Sequence, residues 1–421
     1  MKHRVGILML TLLGAAGANA DVRTSPPAAG GAAFDPEAAT EAYLAKVTPE
    51  KKARSDAYFE GGYWLRLWDF LAVAAVSLLL LASRTSARMR DLASRLTRRA
   101  PLATFLYFLQ YVVLMAVLLF PLTVYEGFVR EHRYGLATQT LGPWLGDRVK
   151  ELGVAVVLGG LFVTALYGIL RKAGRRWWIW GSAAAVLFLA FASLIAPVLI
   201  FPLFNRYRRL EDPKIRGPIL AMARANGIST RDVWVMDASR QTTRVSANVS
   251  GLFGTERITL NDNLLRRCTL PEIEAVMGHE IGHYVLNHLA KGMVFGGISI
   301  VIGFAFVRAL FERAQRRWGA RWDVSGVGDV AGLPLLVLLA SLYSFLLTPV
   351  SNTIVRVQET EADLFGLNVS RQPDGEAEVA LKLGEYRKLD PGPLEELVFF
   401  DHPSGRARIL AAMRWKAEQR R

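Results

Sequence analysis

Six apolar stretches, each long enough to cross a bilayer as a helix, dominate this 421-residue chain: about 67–83, 102–122, 152–170, 177–203, 292–311 and 333–350. A span needs roughly 20 mostly apolar residues. Lipid offers the backbone no hydrogen bonds, so such stretches fold as helices. With 52% hydrophobic and 21% charged residues, the chain is too apolar for a set of soluble domains. The expected fold class is mainly α: a polytopic helical membrane protein with a small α+β portion.

A net charge of +14 would suit nucleic acid only if it lay on one polar face, and it does not. The basic residues fall in short loops between apolar runs, so the expected environment is a lipid bilayer and nucleic acid is not an expected partner. Arg84, Arg88, Arg90, Arg95, Arg98 and Arg99 lie between the first two runs, Arg171, Lys172, Arg175 and Arg176 between the third and fourth, and Arg313, Arg316, Arg317 and Arg321 between the last two. Parity puts these three loops on one side, expected to be cytoplasmic. Residues 21–66, 123–151, 204–291 and the tail from 351 then face the far side, the periplasm of a bacterial inner membrane.

The start of the chain agrees with this orientation. A charged MKHR, an apolar Val5–Ala16 and the small Ala18-Asn19-Ala20 read as a signal peptide over 1–20, with an uncleaved first anchor as the alternative. Either one exports residue 21. The expected partition continues with an exported extension at 21–66, a linker followed by a short helix ending at Trp64. Four spans follow at 67–203, then a polar segment at 204–291, two more spans at 292–350 and a C-terminal tail at 351–421. Strand-like runs at 233–237 and 257–260 mark the α+β portion. The lone Cys268 allows neither an intramolecular disulfide nor a cysteine zinc site.

The chemistry lies in TLPEIEAVMGHEIGHYVLNHLAKG, residues 269–292. Its apolar positions recur at helical spacing, Thr269 and Glu272 have capping-box spacing, and the helix is expected to end before Gly292. His279 and His283, four apart, project from one face with Glu280 beside them, the HExxH arrangement for zinc. The chain has only six histidines, which makes a chance pairing around a glutamate rare. Catalytic zinc takes three protein ligands. His288 is five residues past His283, not the six of one known three-histidine pattern, and is expected to pack or hydrogen-bond structurally. In NTIVRVQETEADLFGL, residues 352–367, Glu359 and Asp363 share a helix face, and Glu359 would complete a His/His/Glu set.

HEIGHYVLNH followed by RVQETEAD resembles the integral-membrane zinc metalloproteases of the CAAX prenyl protease type I, or Ste-type, family. FVREHRYGLATQT (128–140), APVLIFPLFNRYRRLED (196–212), DASRQTTRVSANVSGLFG (237–254) and DHPSGRARI (401–409) resemble family segments in the right order. The resemblance implies spans enclosing a chamber around a zincin-like catalytic portion, one Zn2+ per chain, and a protein or peptide substrate. It assigns His279, His283 and Glu359 as zinc ligands and Glu280 as catalytic base. Asp363 matches an acidic residue often assigned as proton donor, with a partner orienting a histidine ligand as the alternative. Asn248 matches an asparagine lying along the substrate, and His402 and Arg408 match groups that steady the oxyanion.

Two features depart from the family pattern. Val355-Arg356 keeps only the arginine of the usual Ser-Arg pair before the third ligand, and the site is expected to face outward, which sets a CAAX substrate against a quality-control role without prenyl specificity. A noncatalytic zinc-binding membrane scaffold is the rival of another class.

Overall fold

The computed structural model describes residues 34–251 and 256–420; the expected signal peptide lies outside them. Each of the six apolar runs sits in one long helical segment: Pro49–Ala82, Ala100–Arg133, Leu141–Lys172, Gly174–Phe204, His288–Trp322 and Val330–Ser370. The fourth carries Trp180, Leu187 and Val198 well exposed, an apolar surface of the kind that lipid covers. Inside the bundle Tyr107, Tyr167, Phe311 and Leu81 are fully buried, and the Ser86 hydroxyl meets the Tyr107 hydroxyl at 2.6 Å and the Ala331 carbonyl at 2.7 Å.

The first span differs from the expected linker and short helix. Thr48 caps it through its side chain and Pro49 opens it, after which the helix runs unbroken through Trp64 to Ala82. At 1.5 Å per residue its 34 residues reach about 50 Å, well beyond a hydrocarbon core of about 30 Å. Its first turns therefore stand outside the membrane, where the Tyr58 hydroxyl donates to Glu131 at 2.6 Å and that of Tyr63 to Glu395 at 2.9 Å.

The three basic loops meet at one end of the bundle. Arg84 donates to the Arg321 carbonyl at 2.8 Å, Arg90 to Asp323 at 2.8 Å and Asp329 at 2.9 Å, and Arg171 to the Gly328 carbonyl at 3.2 Å.

A four-stranded sheet packs between the spans and the HExxH helix. Its strands are β1 (Tyr207–Arg209), β2 (Val233–Met236), β3 (Ala247–Ser250) and β4 (Arg257–Asn261), in the order β1-β2-β4-β3. The β2–β4 pair is parallel and the other two are antiparallel. Alternation sends Val233, Val235, Ile258 and Leu260 to one face, where they form a core with Ile273, Met277 and Ile281 of the HExxH helix. Cys268 is a half-buried part of this core, and burial lifts its thiol to about 11, so it packs as an inert filler.

Candidate metal centre

The HExxH helix spans Leu270–Val285. Its first turn is fixed as the sequence indicates, with the Thr269 amide donating to the Glu272 carboxylate at 2.5 Å. It ends earlier than expected because Asn287 adopts a left-handed φ of 56°, a conformation asparagine tolerates better than most residues. A new helix starts at His288, and the turn swings that histidine back onto the site.

The Leu333–Ser370 helix crosses the HExxH helix where both lack bulk. A Cβ on Gly278 would lie 2.8 Å from the Gly366 carbonyl oxygen, one on Gly366 2.7 Å from the His279 amide nitrogen, and one on Gly282 3.2 Å from Ala362. These backbones approach closely because glycine and alanine allow it, and the approach sets Glu359 against the two histidines.

Three donor groups converge there. His279 Nε2 and His283 Nε2 are 3.0 Å apart, and the Glu359 carboxylate oxygens lie 3.3 Å from the first and 3.4 Å from the second. One ligand atom from each of the three residues lies within 4.8 Å of the others. Among the described residues nothing donates a hydrogen bond to the buried Glu359 Oε2, although the His402 Nε2 also lies 3.2 Å away. Donors that crowd one point without satisfying one another suit a cation at that point. Two imidazoles and a carboxylate are a set that zinc takes.

The far nitrogens of both histidines are held. His279 Nδ1 is 2.7 Å from Asp363 Oδ1, Arg408 donates to the same oxygen at 2.7 Å, and Arg408 also meets Glu376 at 2.9 Å. All four residues are buried. Arg408 is thus paired with two carboxylates behind His279. Asp363 sits on the ligand's far side, which is the orienting alternative. His283 Nδ1 meets His288 Nδ1 at 2.8 Å, and His288 Nε2 meets Glu361 at 3.0 Å. With Nε2 of His283 facing the donor cluster, its Nδ1–H donates to His288, whose Nε2–H donates to Glu361. His288 is therefore a hydrogen-bonding neighbour of the site.

Electrostatics follow from the burial. Burial opposes charge on His279, but the Asp363 and Glu359 carboxylates outweigh it and push the ring up to about 10. Burial raises the Glu280 carboxyl above its ordinary value, while the two imidazoles pull the other way. Burial works against the Arg408 charge too, and Asp363 and Glu376 reverse it.

The C-terminal segment reaches the same point. His402 Nδ1 bonds Asp401 at 2.8 Å, and Arg387 approaches its Nε2 at 3.3 Å. Arg356 donates to the carbonyls of Glu396 at 2.9 Å and Phe400 at 2.5 Å, which pins the strand of chain leading to His402. Val355 beside it is exposed, so the departure from Ser-Arg leaves this anchorage in place. Asn248 is exposed on β3 opposite Thr259, on the sheet face turned away from the HExxH helix. Sequence reasoning missed Glu376 and Arg387, neither of which stands in a motif of its own.

Fold and site together define a polytopic membrane protein whose HExxH helix is crossed by a glutamate-bearing helix, the architecture of a membrane metallopeptidase. Comparisons agree along most of the chain. Residues 36–206 match the CAAX prenyl protease N-terminal region, described as five membrane helices, and residues 209–416 match peptidase family M48. Four of the long apolar helices fall within the first of these segments. The chain is 31% identical over 281 residues to the "Uncharacterized metalloprotease YhfN" of Bacillus subtilis, covering 66% of this chain and 66% of that protein. It is 30% identical over 285 residues to the "Probable CAAX prenyl protease 1" of Schizosaccharomyces pombe, covering 67% of this chain and 60% of that one. The matched regions thus span 66% and 60% of these relatives' lengths, less than two thirds of either. The crystal structure of S. mikatae Ste24p superposes with a TM-score of 0.72 at 20% identity, covering 90% of this chain and 95% of the other, which is a likeness of fold. The protein belongs to peptidase family M48 and carries that family's CAAX-protease-type membrane region.

Proposed function

We propose that the protein is an integral-membrane zinc endopeptidase that hydrolyses peptide bonds of extended or membrane-associated protein substrates. The observation that carries this reading is the convergence of His279, His283 and Glu359 on one point, with Glu280 adjacent on the same helix. His279, His283 and Glu359 would hold a single zinc ion, which supplies Lewis-acid polarisation of the scissile carbonyl and a readily ionised water. Glu280 takes the proton from the attacking water and hands it to the leaving amine. Asp363, itself held by Arg408, keeps His279 in the tautomer that presents Nε2 to the metal. His402, oriented by Asp401, is the group best placed to donate to the developing oxyanion, since its Nε2 lies next to Glu359. Asn248 lies on the open-edge strand, along which an extended substrate would run.

The clustering of the three basic loops at one end supports a cytoplasmic position for that end, and hence a site opening to the periplasm of a bacterial inner membrane. That sidedness favours cleavage of plain, membrane-proximal chains over the prenylated CAAX substrates that the names of the relatives suggest.

The test is cleavage of matched peptides, plain and farnesylated at a C-terminal CAAX box, by detergent-purified protein with zinc. Wild type should cut the plain peptides. Glu280→Gln should keep its zinc and lose roughly 10²–10⁴-fold in kcat. Full activity in that variant would remove Glu280 as the base, and cleavage confined to farnesylated peptides would reverse the substrate preference.

A further inference from the structure

A cavity of about 370 Å³ lies between the polar face of the sheet and the end of the fourth span, lined by Asn248, Arg257, Thr259, Tyr207, Phe201 and Phe204 among others. Register explains its composition. Ile258 and Leu260 point into the core, so Arg257, Thr259 and their partners Ser250 and Asn248 point the other way. Among the described residues Arg257 is the only charged one in the lining. Its guanidinium lies 4.5 Å from the ring centroids of both Tyr207 and Trp234, and its Nε and Nη2 are buried with no hydrogen-bond acceptor among the described residues. Burial holds its pKa below the ordinary arginine value, but it stays a cation. Arg408, the other buried guanidinium described above, has two carboxylates. A buried donor left without an acceptor is costly, and one that persists asks for a partner from outside the chain.

Geometry says what that partner is. Among the described residues β3 pairs only with β4, so its outer edge is open, and β3 packs beside the HExxH helix. An extended peptide added to that edge would send alternate side chains to the cavity's face of the sheet. A guanidinium fork held between two rings matches a planar carboxylate.

We infer that this cavity is a subsite for an acidic side chain of the substrate, with Arg257 as its specificity-determining anchor. The inference rests on the peptidase reading above. Phe201 and Phe204, at the end of a span, would also suit a lipid phosphate, and the experiment separates the two.

Full-length Glu280→Gln protein in detergent is titrated with fluorescein-labelled alanine-based peptides in which a single glutamate is walked along the chain, with glutamine versions as neutral controls. The readout is the ratio of affinities, acidic over neutral. One position should show a ratio of tenfold or more, falling to twofold or less in Arg257→Met and staying intermediate in Arg257→Lys. Asn248→Asp, an exposed change that leaves Arg257 in place, should also collapse the ratio by setting a carboxylate in the cavity. A flat walk, or a ratio that survives Arg257→Met, would overturn the assignment. So would a flat walk together with Arg257-dependent binding of phosphatidylglycerol, but not phosphatidylcholine, nanodiscs. If the binding pattern appears while wild type cleaves none of the peptides, the subsite stands and the peptidase reading fails.

Discussion

Arg408 illustrates how one buried charge can act on the donor cluster through another residue, Asp363. Its partners Asp363 and Glu376 are both buried, so Arg408→Met would strand two carboxylates. We expect a loss of about 3–5 kcal/mol, read as a drop in thermal midpoint, and Arg408→Met combined with Glu376→Gln should recover part of it. His288 holds the other histidine of the proposed zinc site. His288→Phe removes the acceptor for His283 Nδ1–H and should weaken zinc roughly 10- to 100-fold in a chelator competition, while His288→Asn, which retains an acceptor, should lose less. An unchanged zinc affinity in His288→Phe would show that the bond to His283 does not orient the ligand.

At the scale of elements, the decisive contact is the crossing at Gly278 and Gly366. A methyl group at Gly278 meets a backbone carbonyl oxygen at 2.8 Å, which cannot rotate aside. Gly278→Ala should therefore cost about 1–3 kcal/mol and should also loosen the metal, because Glu359 rides on the displaced helix. Gly292→Ala, with nothing within 4 Å of the added carbon, is the matched control and should be neutral or slightly stabilising. The same contrast shows what could be read in advance. Six spans and the HExxH helix are legible because hydropathy, capping and histidine spacing are properties of one segment. The third donor was legible only as a candidate on a helix face, since an acidic pair such as Glu359 and Asp363 alone looks like a solvated face, and the resemblance of a second motif singled Glu359 out. The bond from His279 to Asp363 joins residues 84 apart, and Glu376 reads as an ordinary acidic residue in the first turn of a helix. Nor does the sequence signal the left-handed Asn287, on which the approach of His288 depends.

For the whole molecule, the proposed orientation rests on the three basic loops meeting at one end. Alkaline phosphatase fused after residue 420 should be active in a bacterial host and a fusion in the 84–99 loop inactive; the reverse pattern would put the site in the cytoplasm. Zinc should also raise the thermal midpoint of the whole chain, because it binds only the folded arrangement, and Glu359→Ala should abolish that rise. Surface pairs such as Arg406 with Glu41 fasten the Pro36–Leu44 helix to the Gly405–Glu418 helix, and contribute little individually.

The crossing of the two helices has a consequence for biosynthesis. His279, Glu280 and His283 leave the ribosome before the last two spans, and Glu359 follows only after the final one. Until that span has been inserted and its glycine has docked against Gly278, a nascent chain carries a base and two histidines but no complete binding set. On the proposed reading, peptidase activity would therefore arrive late in synthesis, once the chain is threaded through its own membrane.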